Sequence, residues 1–234
     1  MPIFITVVAV LLLLVGGIAV VARRTMHPPV PRPVPGKITV AAIGDSNTYG
    51  AGVLLRGRSR WSYPAQLALM LGDRYQVLNY GLNRRTLQRD GDWPYAANRF
   101  AEASVRARAD IVLIMLGTND ARGDDWNAEA YESELADFAA HYSADDTSTV
   151  YLLTPPVAFP NRRGVSERIV AEEVAPVVRR VAEQENLPLI DIFDVTERGV
   201  TGHRDGIHLD AAASRLVAET IAATIISERN HTSR

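Results

Sequence analysis

Apolar and polar positions along the chain fall into two periodicities that alternate. Short runs of β-branched and aliphatic residues occur at Ile38–Ile43, Tyr75–Leu78, Ile111–Leu116, Val150–Leu153 and Leu189–Ile192, and each is of strand length. Between and after them, apolar residues recur with helical spacing over Tyr63–Leu71, Pro94–Arg108, Ala128–Tyr142, Val165–Glu185 and Ala211–Glu228. Strands that alternate with helices predict right-handed crossovers and a parallel sheet covered on both faces, an α/β fold. The N-terminus breaks this pattern. Ile3–Ala22 contains only one polar side chain, Thr6, and at ~1.5 Å per residue a helix of that length crosses ~30 Å of hydrocarbon.

This organisation predicts a transmembrane anchor over residues 1–22, with a cleaved signal sequence as the alternative because Val20-Val21-Ala22 ends in a small residue. Residues 23–36 include His27–Gly36, which is dense in proline and reads as a semi-rigid spacer holding the domain off the bilayer. A single catalytic-size domain follows over 37–229, and 230–234 reads as a frayed tail. Arg23 and Arg24 after the span favour a cytoplasmic domain by the positive-inside rule. The expected substrates, described below, favour the extracytoplasmic side, and a single-pass protein of the cell membrane facing outward is the expectation.

Composition narrows the chemistry. The 234-residue chain carries a formal charge of −2 with mixed signs, which offers no basic field for a nucleic-acid backbone. It has no cysteine, which removes disulfides, thiolate metal sites and cysteine nucleophiles. Its single lysine, Lys37, precedes the first strand, so the body of the domain has no Schiff-base or P-loop lysine. No histidine or carboxylate cluster has metal-ligand spacing. Gly50, Gly52 and Gly57 fail the dinucleotide-binding spacing because Leu55 occupies the third position.

Parallel strands end on one edge of a sheet, so the residues that follow them converge there. These are Asp45 and Ser46, Asn79 and Gly81, Gly117-Thr118-Asn119-Asp120 and Asp205-Gly206-Ile207-His208. A serine hydroxyl needs a neutral imidazole to take its proton, and the imidazole needs a carboxylate to hold its tautomer. Of the five histidines only His208 has an acid three residues before it in the final loop, which makes Ser46, His208 and Asp205 the candidate triad. Asp191 is the rival acid. The backbone N–H groups of Ser46 and Gly81 and the amide of Asn119 are the candidate oxyanion donors. Asp120 reads as an organiser of its own loop.

These four blocks resemble, in order and spacing, those of the SGNH (GDSL-type) hydrolases over nearly all of Lys37–Glu228. The resemblance implies a flavodoxin-like three-layer fold with a five-stranded parallel sheet in the order 2-1-3-4-5. It also implies a serine esterase, needing no cofactor, in which Ser46, Gly81, Asn119 and His208 carry the defining roles and Asp205 supports His208. Ser62–Leu67, Gly91–Tyr95, Thr154–Val157 and Glu185–Asp191 look like bacterial members that remove acetyl groups from carbohydrates, including sialate O-acetylesterase-type domains. The implied substrate is a small-molecule or glycan ester. Asn47, and Asn83-Arg84-Arg85 after Gly81, depart from the small or apolar residues common there. Asn47, Arg84, Arg85 and Trp93 are therefore candidate substrate contacts, with Arg84 and Arg85 alternatively solvated surface charges. The competing functions are a lysophospholipase or thioesterase for longer acyl chains and, from another class, a non-catalytic membrane-tethered glycan-binding module.

Overall fold

The structure is a computed structural model that describes residues 28–123, 126–143 and 147–232, together with Gly16, Gly17 and Val20. The chain divides into two units, Met1–Val30 and Pro31–Arg234. Among the described residues no helix is long and apolar enough to cross a membrane. The span expected over 1–22 lies outside those residues, apart from Gly16, Gly17 and Val20.

The second unit is built on a parallel five-stranded sheet in the order β2-β1-β3-β4-β5, as the resemblance implies. The strands are β1 (Ile38–Gly44), β2 (Tyr75–Gly81), β3 (Ile111–Met115), β4 (Thr149–Leu153) and β5 (Leu189–Ile190). β1 is buried along all but its first residue, which is why it reads as a nearly continuous apolar run. Among the helices are α1 (Ser46–Tyr49), α2 (Tyr63–Leu71), α3 (Arg99–Arg106), α4 (Ala128–Ser143), α5 (Ala175–Gln184), α6 (Ile192–Gly199) and α7 (Ala211–Thr232). α2 and α7 bury Tyr63, Leu67, Val217 and Ile221 against Val40, Leu113 and Tyr151 of the sheet. α3, α4 and α5 cover the opposite side, where Phe100 meets Tyr80 edge-on and Phe138 meets Tyr95 and Tyr142.

Several elements differ from the sequence pattern for identifiable reasons. The helix expected from Pro94 starts at Arg99, because the Thr86 N–H donates to Trp93 O and the Tyr95 N–H donates to Thr86 O across the loop, and Asn98 caps the helix through the Phe100 N–H. The helix expected over Val165–Glu185 contains a wider π turn at Val170–Val174. Pro176 lies just beyond that turn and has no N–H for the α-helical ladder. β5 stops at Ile190 because Asp191 caps α6, a helix the apolar pattern does not announce. The proline segment is docked over its second half: Gln76 Oε1 accepts from Val34 N at 2.7 Å, Gln76 Nε2 donates to Arg32 O at 3.1 Å, and Tyr80 OH donates to Pro31 O at 3.3 Å. The spacer expected over 23–36 thus joins the body at Pro31, and α7 carries helix into the expected tail as far as Thr232.

Candidate active site

Ser46 stands two residues beyond the carboxyl end of β1, at the start of α1. Asp45 caps this helix, its Oδ1 accepting from Asn47 N at 2.8 Å, and the cap fixes the turn that carries Ser46. The turn sits tightly on the sheet. A Cβ added at Gly44 would come 2.1 Å from Thr48 Oγ1, and one at Gly81 would come 2.2 Å from Tyr49 N.

The final loop returns His208 to this point. Its Nε2 lies 2.9 Å from Ser46 Oγ and its Nδ1 lies 2.7 Å from Asp205 Oδ2. Asp205 Oδ1 also accepts from the backbone N–H groups of His208 at 2.9 Å and Ile207 at 3.2 Å, so one carboxylate shapes the loop and orients the ring. Partial burial works against the charge on Asp205, but these backbone bonds and the imidazole outweigh it and lower its pKa to about 2. Arg163, which no sequence signal singles out, reaches the same Oδ2 at 3.3 Å. The rival acid Asp191 is committed elsewhere: it accepts from Arg179 at 2.7 and 3.2 Å and from Thr154 at 2.9 Å, which hold its pKa below the usual value despite burial.

The oxyanion candidates are less uniform. Asn119 is buried beside the nucleophile turn, and its Nδ2 donates to Arg85 O at 3.0 Å and to Asp45 Oδ2 at a long 3.4 Å. The Gly81 N–H donates to Asn79 Oδ1 at 2.9 Å. The lack of a side chain at Gly81 lets β2 pass against the backbone of α1. Three residues later, Arg84 adopts φ 67°, a left-handed conformation rare for a side chain of its size, on the wall of a cavity of about 20 Å³ that Asn119 also lines.

The candidate substrate contacts also separate. Asn47 is buried and accepts from Leu209 N at 3.1 Å, which ties the nucleophile turn to the histidine loop and makes it a brace. Arg84 is exposed, whereas Arg85 is buried and its guanidinium pKa is lowered by desolvation, so Arg85 is not a solvated surface charge. Both guanidinium groups stand 5.6 Å from the ring centre of Trp93, which is 44 % exposed. Asp120 organises the adjoining loop by accepting from Leu87 N and Gln88 N, and burial raises its pKa to about 6. Burial likewise raises Asp45 to about 7, opposed by the Asn47 N–H and the Thr118 hydroxyl. Among the described residues no group of three His, Asp or Glu gathers as a metal would require. A serine, an imidazole and a carboxylate in one hydrogen-bonded line can accept a proton from the hydroxyl and store it as imidazolium.

Comparison with known proteins agrees with this chemistry. The sequence profile of the GDSL-like lipase/acylhydrolase family matches residues 42–216. An acetylxylan esterase from Xylanibacter ruminicola is 32 % identical over 216 residues, which cover 84 % of this chain and 45 % of that protein. The chain thus spans about half the length of this relative. Est24, a carbohydrate acetylesterase from Sinorhizobium meliloti, superposes with a TM-score of 0.68 at 21 % identity over 82 % of this chain and 99 % of its own. An aryl esterase from M. smegmatis superposes with a TM-score of 0.64 at 22 % identity over 81 % and 98 %. At these identities the two structures speak to the fold.

Proposed function

We propose, from the premise that the chain belongs to the GDSL-like lipase/acylhydrolase family, that it is a carboxylic ester hydrolase removing short acyl groups, chiefly acetyl, from carbohydrates or cell-surface glycans. The observation that carries this reading is the unbroken line from Ser46 Oγ to His208 Nε2 at 2.9 Å and from His208 Nδ1 to Asp205 at 2.7 Å.

In this mechanism His208 takes the proton of Ser46 as its oxygen attacks the ester carbonyl, and Asp205 balances the imidazolium that forms. The tetrahedral oxyanion is met by the Ser46 N–H and by Asn119, whose long bond to Asp45 is the one that can yield. Collapse expels the alcohol, which takes the proton from His208. Water then repeats the sequence on the acyl-enzyme, with His208 again as base.

The acetyl preference draws support from the acetylxylan esterase relative. A series of p-nitrophenyl esters from acetate to dodecanoate, with acetylated xylooligosaccharides and acetylated acidic sugars alongside, tests it. The expected kcat/KM is highest for acetyl and falls by about tenfold or more by octanoyl. A maximum at the long chains would favour the lysophospholipase reading instead.

A further inference from the structure

One part of the surface plays no role in this mechanism. Between Ser46 and Gly72 the sequence has no acidic residue and carries Arg56, Arg58 and Arg60. The same stretch exposes large apolar side chains: Leu55 is 93 % exposed, Leu69 74 % and Leu54 38 %. Leu54 and Leu55 lie on the 3-10 turn Ala51–Arg56, and Leu69 on α2. Leu69 shares a groove of about 710 Å³ with Arg58, Arg60, Ala65, Ala68 and Val77.

The three arginines are not equivalent. Arg58 is engaged internally, donating to Tyr49 O at 2.8 Å and stacking 4.0 Å above the Tyr49 ring. Arg60 lies against Trp61, its guanidinium 5.2 Å from the ring centre, and both Arg56 and Arg60 are exposed. Asp45 and Asp73 bound the stretch; Asp45 is buried, Asp73 is followed directly by Arg74, and exposed Asp210 adjoins the turn through Leu209. Exposed leucines beside Arg56 and Arg60, in a stretch with no acid of its own, complement a surface that is anionic at its face and apolar beneath.

The attachment of the chain points the same way. The N-terminal segment joins the body at Pro31, held to Gln76 and Tyr80 of β2. β2 is an edge strand and also supplies Val77 and Asn79 to the groove. Only residues 23–30 separate the apolar run ending at Ala22 from that anchored point.

We propose that the face formed by Ala51–Arg56, Arg58–Trp61 and the outer side of α2 rests on an anionic lipid bilayer. Leu54, Leu55 and Leu69 enter the boundary between headgroups and acyl chains, and Arg56 and Arg60 meet lipid phosphates. The contact stands independently of the esterase reading. It also places the bilayer beside the histidine loop, because a Cβ added at Gly52 of the same turn would come 2.2 Å from Leu209 O.

The absence of cysteine allows a direct test. The full chain carrying Leu55→Cys, labelled with an environment-sensitive fluorophore and reconstituted in phosphatidylcholine vesicles with phosphatidylglycerol, is expected to show blue-shifted emission. The shift should be smaller in phosphatidylcholine alone and should shrink when Arg56→Ser and Arg60→Ser are added. The same label at Glu183→Cys, exposed beyond the sheet on α5, should report water throughout. An aqueous spectrum at Leu55 in the anionic vesicles, or one matching Glu183, overturns the proposal. A blue shift already present in detergent and dependent on protein concentration would assign the face to a second copy of the chain, and overturns it equally.

Discussion

Two walls of the site meet at Ser46 and were built by different means. On one, Ser46, His208 and Asp205 make a continuous line of side chains at 2.9 and 2.7 Å, each contact being the one its chemistry calls for. On the other, two of the three candidate oxyanion donors are already engaged. The Gly81 N–H donates to Asn79, and Asn119 is shared between Arg85 O and Asp45. A nucleophile and its base can be recognised by residue type, because few residues do that work. An N–H donor belongs to every residue but proline, so its role depends on where the backbone points.

The comparison breaks most sharply at the nucleophile. Ser46→Ala removes the atom on which the first wall converges and is expected to lower kcat by about 10⁴–10⁶-fold with little loss of folding. Turnover of p-nitrophenyl acetate at near-native rate, with the variant's melting curve unchanged, would dismiss the mechanism.

The second wall should answer in a graded way. Asn119→Ala is expected to reduce kcat by about 10²–10³-fold with KM little changed, the signature of a donor used in the transition state. A change confined to KM would make Asn119 a substrate contact. Gly81→Ala sharpens the contrast. Its added Cβ collides with the backbone of α1 at Tyr49, so it should cost folding stability rather than oxyanion binding. Material that remains folded at low temperature should keep kcat within about tenfold of native. A loss as large as that of Asn119→Ala, in protein shown to be folded, would mean that the close passage of β2 against α1 sets the geometry of the site itself.

What could be read in advance follows the same division. The sheet order and the strand cores rest on apolar runs of strand length, and they appear as the pattern and the family resemblance implied. The candidate triad residues rest on side-chain chemistry brought to one sheet edge, and Ser46, His208 and Asp205 are hydrogen-bonded there. The misreadings concern backbone direction and local competition. Pro176 interrupts a helix whose periodicity is otherwise sound, and Asp191 ends β5 by capping α6. Arg84 is left-handed with no glycine to announce it, and Arg85, which the sequence could not distinguish from its neighbour, is the one turned inward. Arg163 comes to Asp205 from a distant loop with no local motif, and only the folded chain brings the two together.

The finest probe of the second wall is Asp45, which touches both Ser46's turn and Asn119. Burial raises its pKa to about 7, so between about pH 4 and pH 7 the native state holds a proton that the unfolded chain has released. Stability on this account falls as pH rises through that window and levels off above it. Asp120, raised to about 6, acts in the same direction over a narrower range. Asp205, lowered to about 2, acts oppositely: its contribution is present above about pH 4 and is lost as pH falls toward 2. Asp45→Asn keeps an acceptor for the Asn47 N–H but cannot ionise, so it removes one share of the decline and leaves the others. Melting curves at pH 4.5 and pH 8 should therefore show the variant losing less stability than the native chain by about 1 kcal/mol or more, roughly 2–4 °C for a domain of this size. Its kcat should stay within about tenfold, since Asn119 retains its bond to Arg85 O and loses only the longer one's charge. Parallel melting profiles for the two proteins would mean that Asp45 is ionised throughout. The hold of its carboxylate on Asn119 would then be a permanent feature of the resting site, unrelieved by protonation.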